Sequence, residues 1–253
     1  GTASRTELLK VFARWDQLER LFVCKTDEVN FLDRCELFAV AKDVDRDRQI
    51  LHRKRRNRRE YHVVGESRNL PHAVLLTQLP LGRDLVCACS VDDIRDFYHA
   101  YVATEKRARS SPVGPSFRWG EVAHLKAAQA ALAANRITTG DRLVCCFKGL
   151  GMGDHAAVDI AQESHVNLLR SWGTFLPEET LNYRHPLPKP ESGYYEGIMI
   201  DDHLGVQLLP WKGDEVTTLA QEGRDQQVFE AATAAYNSVD LRTHEGKKVR
   251  RSL

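Results

Sequence analysis

Apolar positions at helical spacing run through Thr6 to Val23, "TELLKVFARWDQLERLFV", and predict an amphipathic helix. From Cys35 to Val64 the pattern changes: "CELFAVAK", the charged "DVDRDR" and "QIL" read as a hairpin that leads into the basic run "HRKRRNRR", His52 to Arg59. Arg83 to Cys89, "RDLVCAC", is a short β-rich segment that ends at "SVDDIRDFYHAY". Ser110 to Ser116, "SSPVGPS", reads as a loop from its Pro and Gly content. The Ala-rich "EVAHLKAAQAALAAN", Glu121 to Asn135, predicts a helix, ended by the Thr139-Gly140-Asp141 turn. A strand, Leu143 to Phe147, then runs through "KGLGMGD" into a helix from about His155 to Trp172. Pro186, Pro188 and Pro190 mark a connection. Gly197 to Ile200 and Leu204 to Leu209 predict a second hairpin with Asp201-Asp202-His203 at its bend, and a last helix, roughly Gln226 to Ser238, precedes the basic tail "HEGKKVRRSL". Helices and strands mixed in this order predict an α+β sheet domain with helices on one side.

Composition narrows this only a little. The 253 residues suffice for one large or two modest domains, and 42% hydrophobic with 28% charged residues is ordinary for a folded protein, so disorder is not the default. The net charge of +1 hides the run His52 to Arg59, where six Lys and Arg side chains fall within eight residues. No window approaches the roughly 18 consecutive apolar residues of a membrane span, and the N-terminus has no signal-peptide pattern, so the chain reads as soluble with no membrane partner. Cys24, Cys35, Cys87, Cys89, Cys145 and Cys146 lie in apolar contexts without CxxC spacing. They read as reduced core thiols, which fits an intracellular compartment, nucleus or cytoplasm unresolved. A chain that begins with Gly1 reads as a piece of something longer.

Candidate chemistry begins with "YYEGIMIDDHLGVQLLP", Tyr194 to Pro210, where Asp201 and Asp202 interrupt an apolar run. A carboxylate taken out of water costs several kcal/mol unless a cation or donors meet it, so the pair either sits at a solvated hairpin tip or holds metal. A second acidic segment follows an apolar strand: Asp93, Asp96 three residues on, and Tyr98 five on. One carboxylate from there and one or two from the hairpin could converge on divalent cations, which prefer oxygen ligands. Gly149, Gly151 and Gly153 form a Gly-rich turn that lets backbone approach a ligand closely. Bland readings stand beside each: Tyr98 as a core aromatic, the basic run as a solvated face or import signal, and His99, His155 and His203 as surface or packing residues.

The order of these segments resembles the palm of reverse transcriptases, and specifically the reverse transcriptase domains of protist retroelements, over nearly the whole chain. The resemblance implies a right-hand polymerase fold, an antiparallel palm sheet packed on helices with a fingers subdomain, the thumb absent or beyond Leu253. It implies one domain over 1–253, with fingers at about 1–85 and 102–142 and palm at about 86–101 and 143–253. "DIRDFY" resembles the first palm motif, with Asp93 as metal ligand, Asp96 near the triphosphate through its backbone and Tyr98 as the aromatic steric gate. "GLGMG" resembles the second, with Gly153 the matching glycine and Met152 where Gln often stands. "MIDD" resembles the Tyr-x-Asp-Asp motif, with Met199 replacing the aromatic and metal ligands Asp201 and Asp202 retained. "RQILHRKRRN" is similar to the fingers motif, with Arg48, Arg53 and Lys54 meeting the triphosphate, although His52 stands where the family commonly has Asp. Lys247 or Lys248 resembles the lysine that donates a proton to leaving pyrophosphate. The implied activity is RNA-directed DNA polymerisation with two Mg²⁺ ions, or Mn²⁺, acting on an RNA template, a DNA primer and dNTPs, in a polyprotein or ribonucleoprotein context. Two alternatives stand beside it: a domesticated palm that binds RNA or serves as a structural subunit, and an RNA-dependent RNA polymerase, which an aromatic at Tyr98 disfavours.

Overall fold

The computed structural model describes residues 3–42, 44 and 47–253. Strands in chain order are β1 (Leu21–Lys25), β2 (Glu36–Ala41), β3 (Asp47–His52), β4 (Leu85–Asp93), β5 (Pro112–Phe117), β6 (Leu143–Phe147), β7 (Tyr194–Met199), β8 (Asp202–Pro210) and β9 (Val249–Ser252). They are interspersed with helices, which makes the fold α+β, and every strand-to-strand pairing is antiparallel. Among the described residues no helix is long and apolar enough to cross a membrane. All six cysteines are free thiols, and Cys24, Cys35, Cys145 and Cys146 are buried.

The chain divides into two units, Gly1–His62 with Tyr98–Ala157, and Val63–Phe97 with Val158–Leu253. In the first, β1, β6 and β5 form a sheet with β6 in the middle, and β2 pairs β3 as a hairpin. Every side chain of β6 is buried, which is why "LVCCF" is continuously apolar rather than alternating. The helix Arg5–Gln17 starts at a reciprocal cap, Ser4 with Glu7, and buries Leu8, Phe12 and Trp15 at helical spacing. Phe12 meets Phe117 edge-on at 5.6 Å, and Trp15 lies 4.8 Å from Phe147 between ring centroids. Asp16, at the end of that helix, accepts the N–H groups of Lys126 (2.7 Å) and Ala127 (2.8 Å), capping the helix Lys126–Ala133 from outside.

In the second unit β7, β8, β4 and β9 form one sheet, in that order, and β4 pairs β8 over nine residues. Because strand side chains alternate, the register sorts residues onto two faces. Tyr195, Val206, Leu204, Leu208, Cys87 and Cys89 pack with Leu75, Leu79 and Leu181. On the opposite face the helix Arg224–Ser238 buries Val228, Phe229, Ala232 and Tyr236. Gly205 admits that helix: a Cβ there would stand 2.5 Å from the Phe229 ring and 2.6 Å from the Tyr194 hydroxyl.

Several elements differ from the sequence expectation. The helix expected over Thr6–Val23 stops at Gln17, with Glu19 left-handed at φ 57°, because "LFVCK" is drawn into the sheet beside β6 as β1. The loop expected over Ser110–Ser116 contains β5, an irregular edge strand that tolerates Pro112 and Pro115 because an edge needs fewer N–H donors. The helix expected over Glu121–Asn135 is two, Trp119–Val122 and Lys126–Ala133. Of the charged "DVDRDR", Asp43, Asp45 and Arg46 lie outside the described residues. The two units divide the chain differently from the fingers and palm ranges that the resemblance implies: residues 98–101 and 143–157 lie in the first unit, whose central strand is β6, and residues 63–85 in the second, where Leu75 and Leu79 pack on Tyr195 and Val206.

Candidate active site

Asp93 ends β4 and Asp202 begins β8, and the register sets the two directly opposite each other. The bend between β7 and β8 is only Ile200 and Asp201, since Met199 already pairs with Asp202, so Asp202 belongs to the strand rather than to the tip. The Asp201 carbonyl accepts the Ile94 N–H at 2.8 Å, which ties the bend to the end of β4. Beyond Asp93 the chain is pinned again, as the Asp93 carbonyl accepts the His244 N–H at 2.8 Å. That bond brings the single turn Glu245–Lys247 to the carboxylates, and Lys247 Nζ stands 2.5 Å from Asp93 Oδ2. Of the two lysines that the sequence left open, Lys247 is the one on Asp93, while Lys248 faces Glu245 at 3.8 Å.

The electrostatics follow from this crowding. Burial, then the charges of Asp201 and Asp93, raise the Asp202 carboxyl above its usual range, opposed by Lys247. The hydrogen bond to Asp93 raises Lys247, against partial desolvation, and the three carboxylates add to that rise, so it stays cationic at neutral pH. Three carboxylates and one ammonium are therefore held at one end of one sheet. As a donor set, all-oxygen and net negative, this fits a hard divalent cation. Among the described residues, however, no group of three or more His, Cys, Asp or Glu side chains is placed so that it could hold a metal ion.

Alternation separates Asp93 from its neighbour. Asp92 points to the other face, is fully buried, and is held by both terminal oxygens at 2.7 and 2.9 Å from Arg250 Nη2 on β9. Arg250 in turn lies 4.4 Å over the Phe229 ring. Asp92 is thus structural, whereas Asp93 and Asp202 share the face of a groove lined by Pro71, Leu76, Val91, Leu181, Met199 and Leu204. Asp96 is exposed, left-handed at φ 52°, with Arg95 Nε 3.7 Å from its carboxylate.

The bend itself is strained. Ile200 has φ 59°, a region that disfavours a β-branched residue by about 1–3 kcal/mol. It is gripped on both backbone groups: its N–H donates to Gln162 Oε1 at 2.7 Å, and its carbonyl lies 2.8 Å from His165 Nδ1. Both side chains come from the helix Ala157–Ser171, so that helix holds the bend from below. The sequence carried no signal for this, because Gln162 and His165 read only as polar positions in an amphipathic helix.

The remaining expected residues, Arg48, Arg53, Lys54, Tyr98, Met152 and Gly153, belong to the first unit, whereas Asp93, Asp96, Asp201, Asp202 and Lys247 belong to the second. Arg48 is exposed on β3, and Lys54 is exposed at the start of the one-turn helix Lys54–Asn57. Arg53, expected to meet a triphosphate, is instead wholly buried: its guanidinium stands 2.6 Å from Asp154 and 3.4 Å from Glu60, and donates to Ser110 Oγ at 2.9 Å. Arg107 holds the same Asp154 and Glu60, and Arg56 joins Glu60 (3.0 Å) to Asp33 (3.2 Å), so the centre of the basic run is a structural ion network. The Met152 carbonyl accepts the Leu51 N–H at 2.8 Å, which seats the Gly-rich turn against β3. Gly153 has φ 102°, and a Cβ there would meet the Leu51 carbonyl oxygen at 2.3 Å, so backbone packing alone requires glycine. Tyr98 is half-buried on the short helix Phe97–Ala100. His203 is buried 2.7 Å from Glu196, stacked on Phe229 and on the face opposite Asp202, so it is no ligand to the acidic site. No protein-family model matches the chain, and no curated protein matches it.

Proposed function

We propose that this chain is an RNA-directed DNA polymerase domain that adds dNTPs to a primer 3′-hydroxyl, with Asp93, Asp201 and Asp202 as its acidic centre. What supports this reading is one arrangement: Asp93 opposite Asp202 across an antiparallel pair, Asp201 on the adjoining two-residue bend, and Lys247 on Asp93. Burial first, and then the neighbouring acids, raise Asp202, so the ionised carboxylates cost stability where they stand, and their juxtaposition supports a cationic partner. Two Mg²⁺ or Mn²⁺ ions bound there would neutralise a triphosphate and activate a primer hydroxyl. In this reading Asp93 and Asp202 would hold them, with Asp201 beside. Lys247, protonated and about half exposed, would give a proton to departing pyrophosphate. The apolar groove of Val91, Met199 and Leu204 beside Asp202 offers a dry wall for a sugar or base.

A second reading is favoured by a specific contact. Lys247 already satisfies an Asp93 oxygen, and a palm that had lost synthesis would keep such a pair while binding RNA through its exposed cations. Primer extension on an RNA template with Mg²⁺ or Mn²⁺ separates the two. The polymerase reading expects dNTPs to be incorporated in preference to rNTPs, and the Asp201→Asn, Asp202→Asn double variant to lose at least about a hundredfold. A wild type that binds template yet incorporates nothing, or a double variant that extends as well as wild type, overturns it in favour of the binding reading.

A further inference from the structure

Beneath the Asp201 bend runs a line of buried polar side chains drawn from four elements. Starting at the Ile200 carbonyl, it passes to His165 Nδ1 (2.8 Å), from His165 Nε2 to the Tyr236 hydroxyl (2.8 Å), from that hydroxyl to His203 Nδ1 (3.3 Å), and from His203 Nε2 to Glu196 Oε1 (2.7 Å). The other Glu196 oxygen accepts the Phe175 N–H at 2.7 Å, so the far end is anchored on backbone. His165, Tyr236, His203 and Glu196 are each at most 1% exposed.

The direction of the line can be read from its chemistry. A carbonyl only accepts, so His165 must donate from Nδ1 to Ile200. Burial pushes His165 down to about 3, so the ring is neutral and carries one N–H; its Nε2 therefore accepts from the Tyr236 hydroxyl. The Tyr236 hydroxyl proton is thereby committed to His165, so its 3.3 Å contact with His203 is a hydrogen bond when His203 Nδ1 carries a proton. Apolar side chains would pack this core at less desolvation cost. A polar line that ends on one backbone carbonyl, at a residue held in a strained conformation, has a directional role that packing does not require.

We propose that His165, Tyr236, His203 and Glu196 are positioning residues, which together with Gln162 fix the Ile200–Asp201 bend and so set the direction in which Asp201 and Asp202 are presented to their cations. The catalytic consequence rests on the polymerase reading, whereas the placement of the bend does not. Tyr236→Phe keeps the ring and removes the one oxygen that joins the two imidazoles. Amide hydrogen exchange of the variant is expected to speed at least about tenfold at Ile200, Asp201 and Asp202, with the β4 and β8 amides distant from the bend unchanged. Primer extension is expected to lose about tenfold in kcat with KM for dNTP unaltered, and the unchanged exchange of the distant amides separates this from a general loosening of the fold. Unchanged exchange at the bend overturns the positioning role, whether or not the chain extends primers. Faster exchange at the bend in a chain whose wild type extends nothing upholds the role and sinks only the polymerase reading. Should Tyr236→Phe fail to fold, Gln162→Met, which removes the Gln162 bond to the Ile200 N–H and its 2.8 Å bond to the Ile198 carbonyl on β7, is read in the same way.

Discussion

Both units gather acids and bases at close range, with opposite balance. In the first, Arg53, Arg56, Arg59 and Arg107 meet Asp33, Glu60 and Asp154, so four guanidiniums answer three carboxylates. In the second, Asp93, Asp201 and Asp202 are answered by Lys247, and the lysine side chain is 56% exposed. A network whose charges nearly balance and whose guanidinium centre is out of water holds a fold together. Uncancelled carboxylates at the end of a sheet repel one another, a cost that the proposed cations would relieve. A run of basic letters and a pair of acidic letters looked equally functional in the sequence; charge balance and burial tell them apart.

The contrast breaks most sharply at Arg53. Arg53→Met would leave Asp154 and Glu60 short of a buried partner and is expected to cost about 3–5 kcal/mol of stability in denaturant unfolding. A cost below about 1 kcal/mol would mean that Arg107 carries the network alone and that Arg53 is not its centre. Gly153→Ala comes next. Its positive φ and the Leu51 carbonyl predict a loss of about 2 kcal/mol in the same measurement, whether or not any ligand is present. A variant as stable as wild type would return Gly153 to a purely ligand-facing role.

The smallest effect sharpens the other side. The Asp202 carboxyl titrates above its usual range in the folded chain, so its ionised form works against folding: the penalty is present at neutral pH and is relieved as pH falls through that raised value. Asp202→Asn is therefore expected to raise Tm by about 1–2 °C at pH 7, a modest gain because the group is partly solvent-screened, and to converge with wild type in acid. A Tm lowered at pH 7 would show that Lys247 and the other neighbours of Asp202 stabilise its charge more than Asp201 and Asp93 oppose it.

Much of the candidate site was legible because it depends on local chemistry. The apolar run into Asp93, the hairpin flanking Asp201 and Asp202, and the Gly-rich turn all announce themselves through alternation, burial cost and turn chemistry. Lys247 was legible only as one of two, since neighbouring lysines on a short turn differ by direction alone. Arg53 was misread because a basic run looks solvated until its partners are known, and Asp33, Glu60, Arg107 and Asp154 are scattered over more than a hundred residues of sequence. His165, Tyr236, His203 and Glu196 were illegible for the same reason: each is ordinary in its own element, and the line exists only where those elements meet.

By itself the sequence determined most element types, though not β1 or β5, since hydrophobic periodicity and turn residues act within a dozen positions, and it determined which carboxylates interrupt apolar strands. Tertiary structure alone decided that Asp93 rather than Asp92 faces Asp202, that Arg53 is sealed inside while Arg48 and Lys54 stay out, and that a buried imidazole holds the acidic bend. The physical reason is range. Propensity and capping are short-range in sequence, whereas strand register, desolvation and ion pairing depend on which distant residues the fold brings within a few ångströms.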